Sequence, residues 1–312
     1  MIVTVTLNPA IDQTIRIDRL VRGAVHRASS VHHDAGGKGV NVAACLGDWG
    51  VPVTATGLVG RDNAAAFEAL FAAKGVTDAF VRADGLTRVN TKLVDDAETT
   101  DINLPGLAAT PAQLAAVTAA MIARLEPGAI AVIGGSLPGG CPDDHYAGLV
   151  RAATGAGARV VLDASGPALA AALAADVRPW CIKPNRAELA AVLGAPLTDL
   201  PAVIAAARAL NARGIALVVV SMGEGGALFV DAHGALLARL AAPAVVTTVG
   251  AGDAMVAGIV AAVVEGGDLA RIARLATAFA VGKLGNPGPH LPSRDAVAAL
   301  AAQVTLTDVE AL

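Results

Sequence analysis

The chain has little of what most often announces a function class. Aromatic residues fill 3% of its 312 positions and charged residues 16%. With 23 basic against 27 acidic side chains the net charge is −4, with no basic stripe and no row of base-stacking rings. Both shortages disfavour nucleic-acid binding. The three cysteines, Cys45, Cys141 and Cys181, are far apart and in no C-x-x-C or Cys/His ligand spacing, so neither a disulfide framework nor a zinc site is expected. No run of about 18 apolar residues is available to span a membrane. Residues 1–7 are too short and uncharged for a secretory signal. These absences predict a cytoplasmic chain. Two nucleotide motifs are missing as well. Gly39 follows Lys38 where a Walker A loop needs Ser or Thr, and Asn8-Pro9 ends the first strand where a dinucleotide fold needs G-x-G-x-x-G. A P-loop nucleotidase and a nicotinamide oxidoreductase are thereby excluded.

What remains is a chain built for burial. Hydrophobic residues make up 54%, enough for a large core and far from a disordered composition. Alanine-rich stretches at 202–209 and 296–302 are good helix formers. The length predicts a single domain over 1–312. Apolar strands are expected at 2–7, 53–60, 79–82, 129–133, 159–162, 180–183 and 216–220, with helices at 63–74, 111–125, 143–154 and 201–213 and a hairpin at 227–230 and 236–240. Such alternation predicts a parallel, doubly wound sheet covered on both faces. In such sheets ligands bind beyond the carboxyl ends of the strands. Ser136, Asp163, Asn185, Ser221 and Asp253 all fall there.

Two stretches read differently. Residues 13–17 alternate polar and apolar, and 25–33 are extended but mostly polar. Residues 88–94 alternate strictly, with Arg88, Asn90 and Lys92 on one face, before a turn at 95–98 and a return strand over 99–104. They predict a small sheet set apart from the core, formed by insertions at about 11–35 and 87–104. Its polar face is either plain solvated surface or the lining of a site for a phosphorylated substrate.

Two glycine segments carry the chemistry. In Gly36-Gly37-Lys38-Gly39-Val40-Asn41 the backbone can wrap a ligand while the ammonium supplies a point charge. In Thr247-Thr248-Val249-Gly250-Ala251-Gly252-Asp253 two glycines open a helix whose first-turn N–H groups attract anions. Taken alone the motif reads first as an ordinary glycine turn with Asp253 as a first-turn partner of the helix dipole; beside a phosphate site the same carboxylate is a base that can take the proton of an attacking hydroxyl.

Four segments in order, Asn8-Pro9-Ala10-x-Asp12, Gly36-Gly37-Lys38-Gly39-x-Asn41-x-Ala43, Lys183-Pro184-Asn185-x-x-Glu188 and Thr248-x-Gly250-Ala251-Gly252-Asp253, resemble the ribokinase-like (PfkB) carbohydrate kinases. The resemblance runs over essentially the whole chain. Thr6-Leu7-Asn8-Pro9, Thr87-Arg88-x-Asn90-x-Lys92 and Gly135-Ser136-Leu137-Pro138 look most like the branch of 1-phosphofructokinases and tagatose-6-phosphate kinases. It implies a three-layer α/β/α sandwich with a small β-sheet lid, often used for dimerisation. It also implies ATP and Mg2+ as cofactors and a sugar phosphate as partner, with no nucleic acid and no membrane. Asp253, with Gly250, Ala251 and Gly252, would be catalytic. Asp12, Arg27, Gly37, Lys38, Asn41, Arg88, Asn90, Lys92 and Ser136 would bind the sugar phosphate. Lys183, Asn185, Ser221, Gly223, Gly226, Thr248 and Asn286 would contact ATP, and Glu188 and Asp163 the magnesium. The sugar-phosphate branch usually has Ser after the catalytic Asp, where this chain has Ala254, and 285–289 is unusually rich in proline. The expected reaction is phosphorylation of a ketohexose monophosphate, fructose 1-phosphate first. Tagatose 6-phosphate and fructose 6-phosphate are alternatives, and a non-catalytic sugar-phosphate sensor is a distant one. Because both the base and the anion loop are intact, the sensor reading is the weaker.

Overall fold

Five buried residues, Ile2–Thr6, form an interior strand of the main sheet in the computed structural model, which describes residues 1–96, 98–243 and 245–309. The chain begins β1 (Ile2–Thr6), β2 (Ala10–Arg16), β3 (Ser30–Gly36), α1 (Lys38–Asp48), β4 (Thr54–Gly60), α2 (Ala65–Lys74), β5 (Thr77–Asp78) and β6 (Val81–Ala83). The hairpin β7 (Val89–Val94) and β8 (Thr99–Ile102) follows, then α3 (Pro111–Ile122), β9 (Ile130–Gly134), α4 (His145–Gly155), β10 (Arg159–Asp163) and α5 (Gly166–Ala174). Next come β11 (Cys181–Ile182), α6 (Arg186–Leu193), α7 (Leu200–Ala212), β12 (Leu217–Ser221), β13 (Ala227–Asp231) and β14 (Gly234–Arg239). The chain closes with α8 (Ala251–Val264), α9 (Leu269–Leu284), α10 (Arg294–Gln303) and β15 (Thr305–Asp308).

The main sheet runs β15-β14-β13-β12-β11-β10-β9-β1-β4-β5, with β6 also paired to β4. It is parallel from β12 to β5, and β13, β14 and β15 extend it antiparallel. Alternate strand residues feed two separate cores. Val3 and Val5 pack with α3, α4 and α5, while Ile130 and Val132 of the next strand pack with α1, α8 and α9. This is the expected α/β/α sandwich. The chain leaves β1 toward β4 on one side and later returns to β9 on the other, so a crevice opens at the carboxyl end of β1.

A second sheet, β3-β2-β7-β8, stands apart. Asp12 faces Asp34 across β2 and β3 and Asn90 across β2 and β7. Strand period sorts its residues cleanly. One face carries Ile15, Val31, Leu93 and Ile102, and the other presents Asp12, Thr14, Arg16 and Lys92 to a cleft against the main body.

Several boundaries differ from the sequence reading. The extended segment placed at 25–33 is β3 at Ser30–Gly36, because its partner β2 ends at Arg16 and leaves 25–29 nothing to pair with. Residues 61–63 form a 3-10 turn before α2, and in place of one strand at 79–82 there are two, β5 just before it and β6 from Val81, which pair with opposite ends of β4. The edge strand β15 went unpredicted, since four residues of TLTD carry little apolar signal. The turn at 95–98 closes through Asp95 N–H to Glu98 O at 3.1 Å, and its Ala97 lies outside the described residues.

Candidate active site

The N-terminal turn of α8 is the centre of the site. Gly250 caps it at φ +80°, a left-handed conformation that glycine adopts without strain. Ala251 and Gly252 form the first turn, and Asp253 follows at 8% exposure. Burial pushes the Asp253 carboxyl above the usual carboxylate range, and the nearby Asp163 pushes the same way. Lys38 and the Asn41 amide oppose that shift, the amide donating to Asp253 Oδ2 at 2.7 Å.

Both Lys38 and Asn41 come from α1, which starts where Gly37 turns at φ +128°, packed so closely on Thr6 and Pro9 that a Cβ would collide with them. Lys38 Nζ donates to Asp163 Oδ2 at 3.0 Å, and Lys183 Nζ lies 3.5 Å from Asp163 Oδ1. Asp163 and Lys183 are almost wholly buried. A carboxylate therefore bridges one lysine at the start of α1 and another just after β11, and such buried charges persist only when paired. Burial pulls Lys38 down, but Asp163, Asp253 and Glu188 outweigh it and hold the ammonium above its ordinary value. Lys183 also reaches the helix turn: its Nζ lies 3.3 Å from where a Cβ on Gly252 would stand.

Across the cleft, Asp12 accepts from Asn90 Nδ2 at 3.3 Å and pairs with Lys92 Nζ at 3.2 Å. The cleft holds about 570 Å³ and is lined by Asp12, Asn41, Lys92, Thr248 and Gly250 among others. The two glycine segments and the small sheet thus converge on one space.

Other expected residues stand less directly on it. Arg88 donates to the carbonyls of Asn8, Pro9 and Leu104, so its guanidinium ties three backbone segments together. Ser136 accepts from Asn8 Nδ2 at 3.1 Å. Arg27 is exposed between β2 and β3, and among the described residues no hydrogen bond or ion pair joins it to the cluster.

On the nucleotide side, Asn185 and Glu188 form a capping box on α6: Asn185 Oδ1 accepts from Glu188 N–H and Glu188 Oε2 from Asn185 N–H, both at 2.8 Å. That N-x-x-E signal was readable in the sequence. Ser221 lies beside Asn185 through a parallel bridge. Gly223 (φ +58°) and Gly226 (φ +89°) shape the turn that follows, and a Cβ at Gly226 would meet Ala238 O at 2.2 Å. Thr248 is exposed on the cleft wall. Asn286 turns its amide back onto Gly282 O at 2.8 Å, capping α9.

Two residues were given no role by the sequence reading. Asn8 was quoted as a strand end and within two motifs, yet it reaches Ser136 and Leu137 across 128 and 129 positions. Lys283 sits in the last turn of α9, where a lysine reads as an ordinary partner of the helix dipole. It is buried at 3% exposure and lines the cleft.

A family model described as pfkB family carbohydrate kinase matches residues 5–296. The chain is 56% identical over 287 residues to a 1-phosphofructokinase of Xanthomonas campestris pv. campestris, covering 90% of each chain. It is 52% identical over 308 residues to a 1-phosphofructokinase of Rhodobacter capsulatus, covering 98% of this chain and 97% of the relative. Among solved structures, phosphofructokinase-2 from Escherichia coli in complex with substrates and products superposes with a TM-score of 0.89 at 31% identity, over 96% of this chain and 98% of that one. Fold, converging site and these likenesses lead to one assignment: the chain belongs to the pfkB family of carbohydrate kinases.

Proposed function

We propose that the protein transfers the γ-phosphoryl group of ATP to the free primary hydroxyl of fructose 1-phosphate, giving fructose 1,6-bisphosphate. The observation that carries this reading is Asp253. It is a buried carboxylate at an amide-rich helix tip, held by Asn41, which lines the same cleft as the Asp12–Lys92 pair. The name shared by relatives of 56% and 52% identity selects the acceptor over fructose 6-phosphate, which the more distant phosphofructokinase-2 binds in one structure.

Asp12 and Asn90 hold sugar hydroxyls, and Lys92 exchanges Asp12 for the sugar's phosphate. That exchange is easy, because a partly exposed ion pair contributes only about 0–1 kcal/mol. Asp253 accepts the proton of the attacking hydroxyl, while N–H groups of Gly250, Ala251, Gly252 and Asp253 face the charge on the transferring group. Phosphoryl transfer passes through a loose transition state, so positioning and charge outweigh base strength. Lys183, Asn185, Ser221, Gly223, Gly226, Thr248 and Asn286 form the ATP side, and Lys38, fixed by Asp163, stands between the two substrates.

Glu188 and Asp163 fit a magnesium ion that arrives with ATP. The capping box uses Glu188 Oε2, Asp163 Oδ1 is buried without a hydrogen bond, and magnesium takes only one or two carboxylates beside phosphate oxygens and waters. When bound, the ion would neutralise charge on the phosphates. The small sheet acts as a lid that excludes water on closing. Its other face, with Val31 half exposed and Ile102 nearly so, supports a homodimer through that sheet. The whole chain works as one domain in the cytoplasm.

An ATP-coupled assay with fructose 1-phosphate, fructose 6-phosphate, tagatose 6-phosphate and ribose at equal concentration tests the reading. The highest kcat/KM is expected for fructose 1-phosphate. Higher efficiency with either 6-phosphate would reassign the acceptor, and ADP release with none of them would reject the kinase function.

A further inference from the structure

Lys283 lines the cleft but has no part in the scheme above. Its Cε lies 3.2 Å and its Nζ 3.9 Å from where a Cβ on Gly250 would stand, so the ammonium is tucked under the residue that caps α8. Nζ donates to Asn286 O at 2.6 Å, which leaves two of its three N–H groups for other partners.

The ordinary role for a lysine in a last turn is to complement the helix's free carbonyls. Here those carbonyls already have partners. Gly282 O accepts from the Asn286 amide, Lys283 O from Gly285 and Asn286 N–H, and Leu284 O from Val246 and Thr247 N–H. Lys283 is instead buried at the start of α8, whose dipole is positive at that end. Two positive ends together oppose folding in the free protein, and burial separately lowers the lysine's pKa despite Cys45, Asp253 and Asp34 nearby. A buried cation that weakens the fold and borders an anion-binding turn is explained when an anion sits between them.

We propose that Lys283 is the second lysine of the phosphoryl-binding turn. It stands under Gly250 as Lys183 stands beside Gly252, and it supplies fixed positive charge to the phosphoryl group bound there. The inference rests on the kinase reading for the identity of that group, but not for the presence of an anion site.

Three variants test it: K283M keeps the stem and removes the charge, K283Q keeps a donor, and K283R keeps both charge and donor. The melting temperature of unliganded K283M should equal or exceed that of the wild type, because a desolvated charge is gone. Its upward shift on adding inorganic phosphate should be at least halved, and K283R should restore it. In the coupled assay K283M should lose about 10²-fold in kcat, the scale of one donor to a transition-state oxyanion, with a smaller change in KM for fructose 1-phosphate. K283Q should fall between K283M and K283R. A full phosphate-induced shift in K283M and K283Q overturns the proposal, as does a kcat for K283M within twofold of wild type. A lower melting temperature with unchanged kcat assigns the lysine a structural role and also overturns it. If the wild type phosphorylates none of the four sugars, the proposed function fails while the phosphate shifts still decide the role of Lys283.

Discussion

The cleft has two walls built from the same three residue types. On the α8 side, Asp253 is buried, takes a hydrogen bond from Asn41 at 2.7 Å and feels Lys38 only through space. On the small sheet, Asp12 is partly exposed, takes a longer bond from Asn90 at 3.3 Å and pairs directly with Lys92 at 3.2 Å. Environment divides their work. A carboxylate whose charge is disfavoured by burial gains a proton readily, which suits a base. A carboxylate in contact with an ammonium near water suits the proposed holding of ligand hydroxyls and release of the cation to a phosphate. On the proposed function, aspartate, asparagine and lysine therefore serve as a catalyst at a buried helix tip and as a binding platform on a half-solvated sheet.

The sharpest way to break the comparison is to treat both carboxylate sites alike. D253N should cost about 10²- to 10⁴-fold in kcat, the range of a general base, with little change in KM for the sugar phosphate. Its melting temperature at neutral pH should not fall. Ionising a carboxylate whose folded pKa is raised weakens the fold, and that penalty is absent below the ordinary carboxylate value and complete above the raised one. Steady-state kinetics beside thermal unfolding check both halves.

The platform wall should respond in binding instead. K92M should raise KM for fructose 1-phosphate by about 10- to 100-fold, the worth of one charge-assisted hydrogen bond, while kcat stays near wild type. A fall in kcat with KM unchanged would erase the distinction between the walls.

N41A sharpens the comparison through pH. The Asn41 bond lowers the Asp253 pKa, so removing it should move the acid limb of the kcat/KM profile to higher pH. The loss at neutral pH should be about tenfold. An acid limb that stays in place, or moves down, would mean that another group limits the rate. The smallest effect is expected for R27A, whose side chain is exposed and outside the cluster. Activity should stay within twofold. A larger loss in the same assay would show that closing the small sheet carries Arg27 to the phosphate.

Much of this was legible because strong local rules were at work. All-apolar strands such as Ile2–Thr6 and Ile130–Gly134 announce a doubly covered parallel sheet, and the glycines at 250 and 252 announce a helix entrance open to anions. The alternation at Arg88, Asn90 and Lys92 placed all three on one strand face. It could not tell that Arg88 folds back onto carbonyls of Asn8, Pro9 and Leu104 while Lys92 meets Asp12. Strand limits failed where pairing sets them, as at β3, whose start follows the end of β2.

Sequence alone determined the layers and the glycine segments that open α1 and α8, since periodicity and turn chemistry act over a few neighbouring residues. Tertiary structure decided the protonation balance and the partners: Asp163 between Lys38 and Lys183, Asp253 buried against Asn41, and Lys283 under Gly250. Those contacts join residues from 20 to more than 200 positions apart. They depend on burial and on distances of a few ångströms, quantities that exist only once the chain is folded.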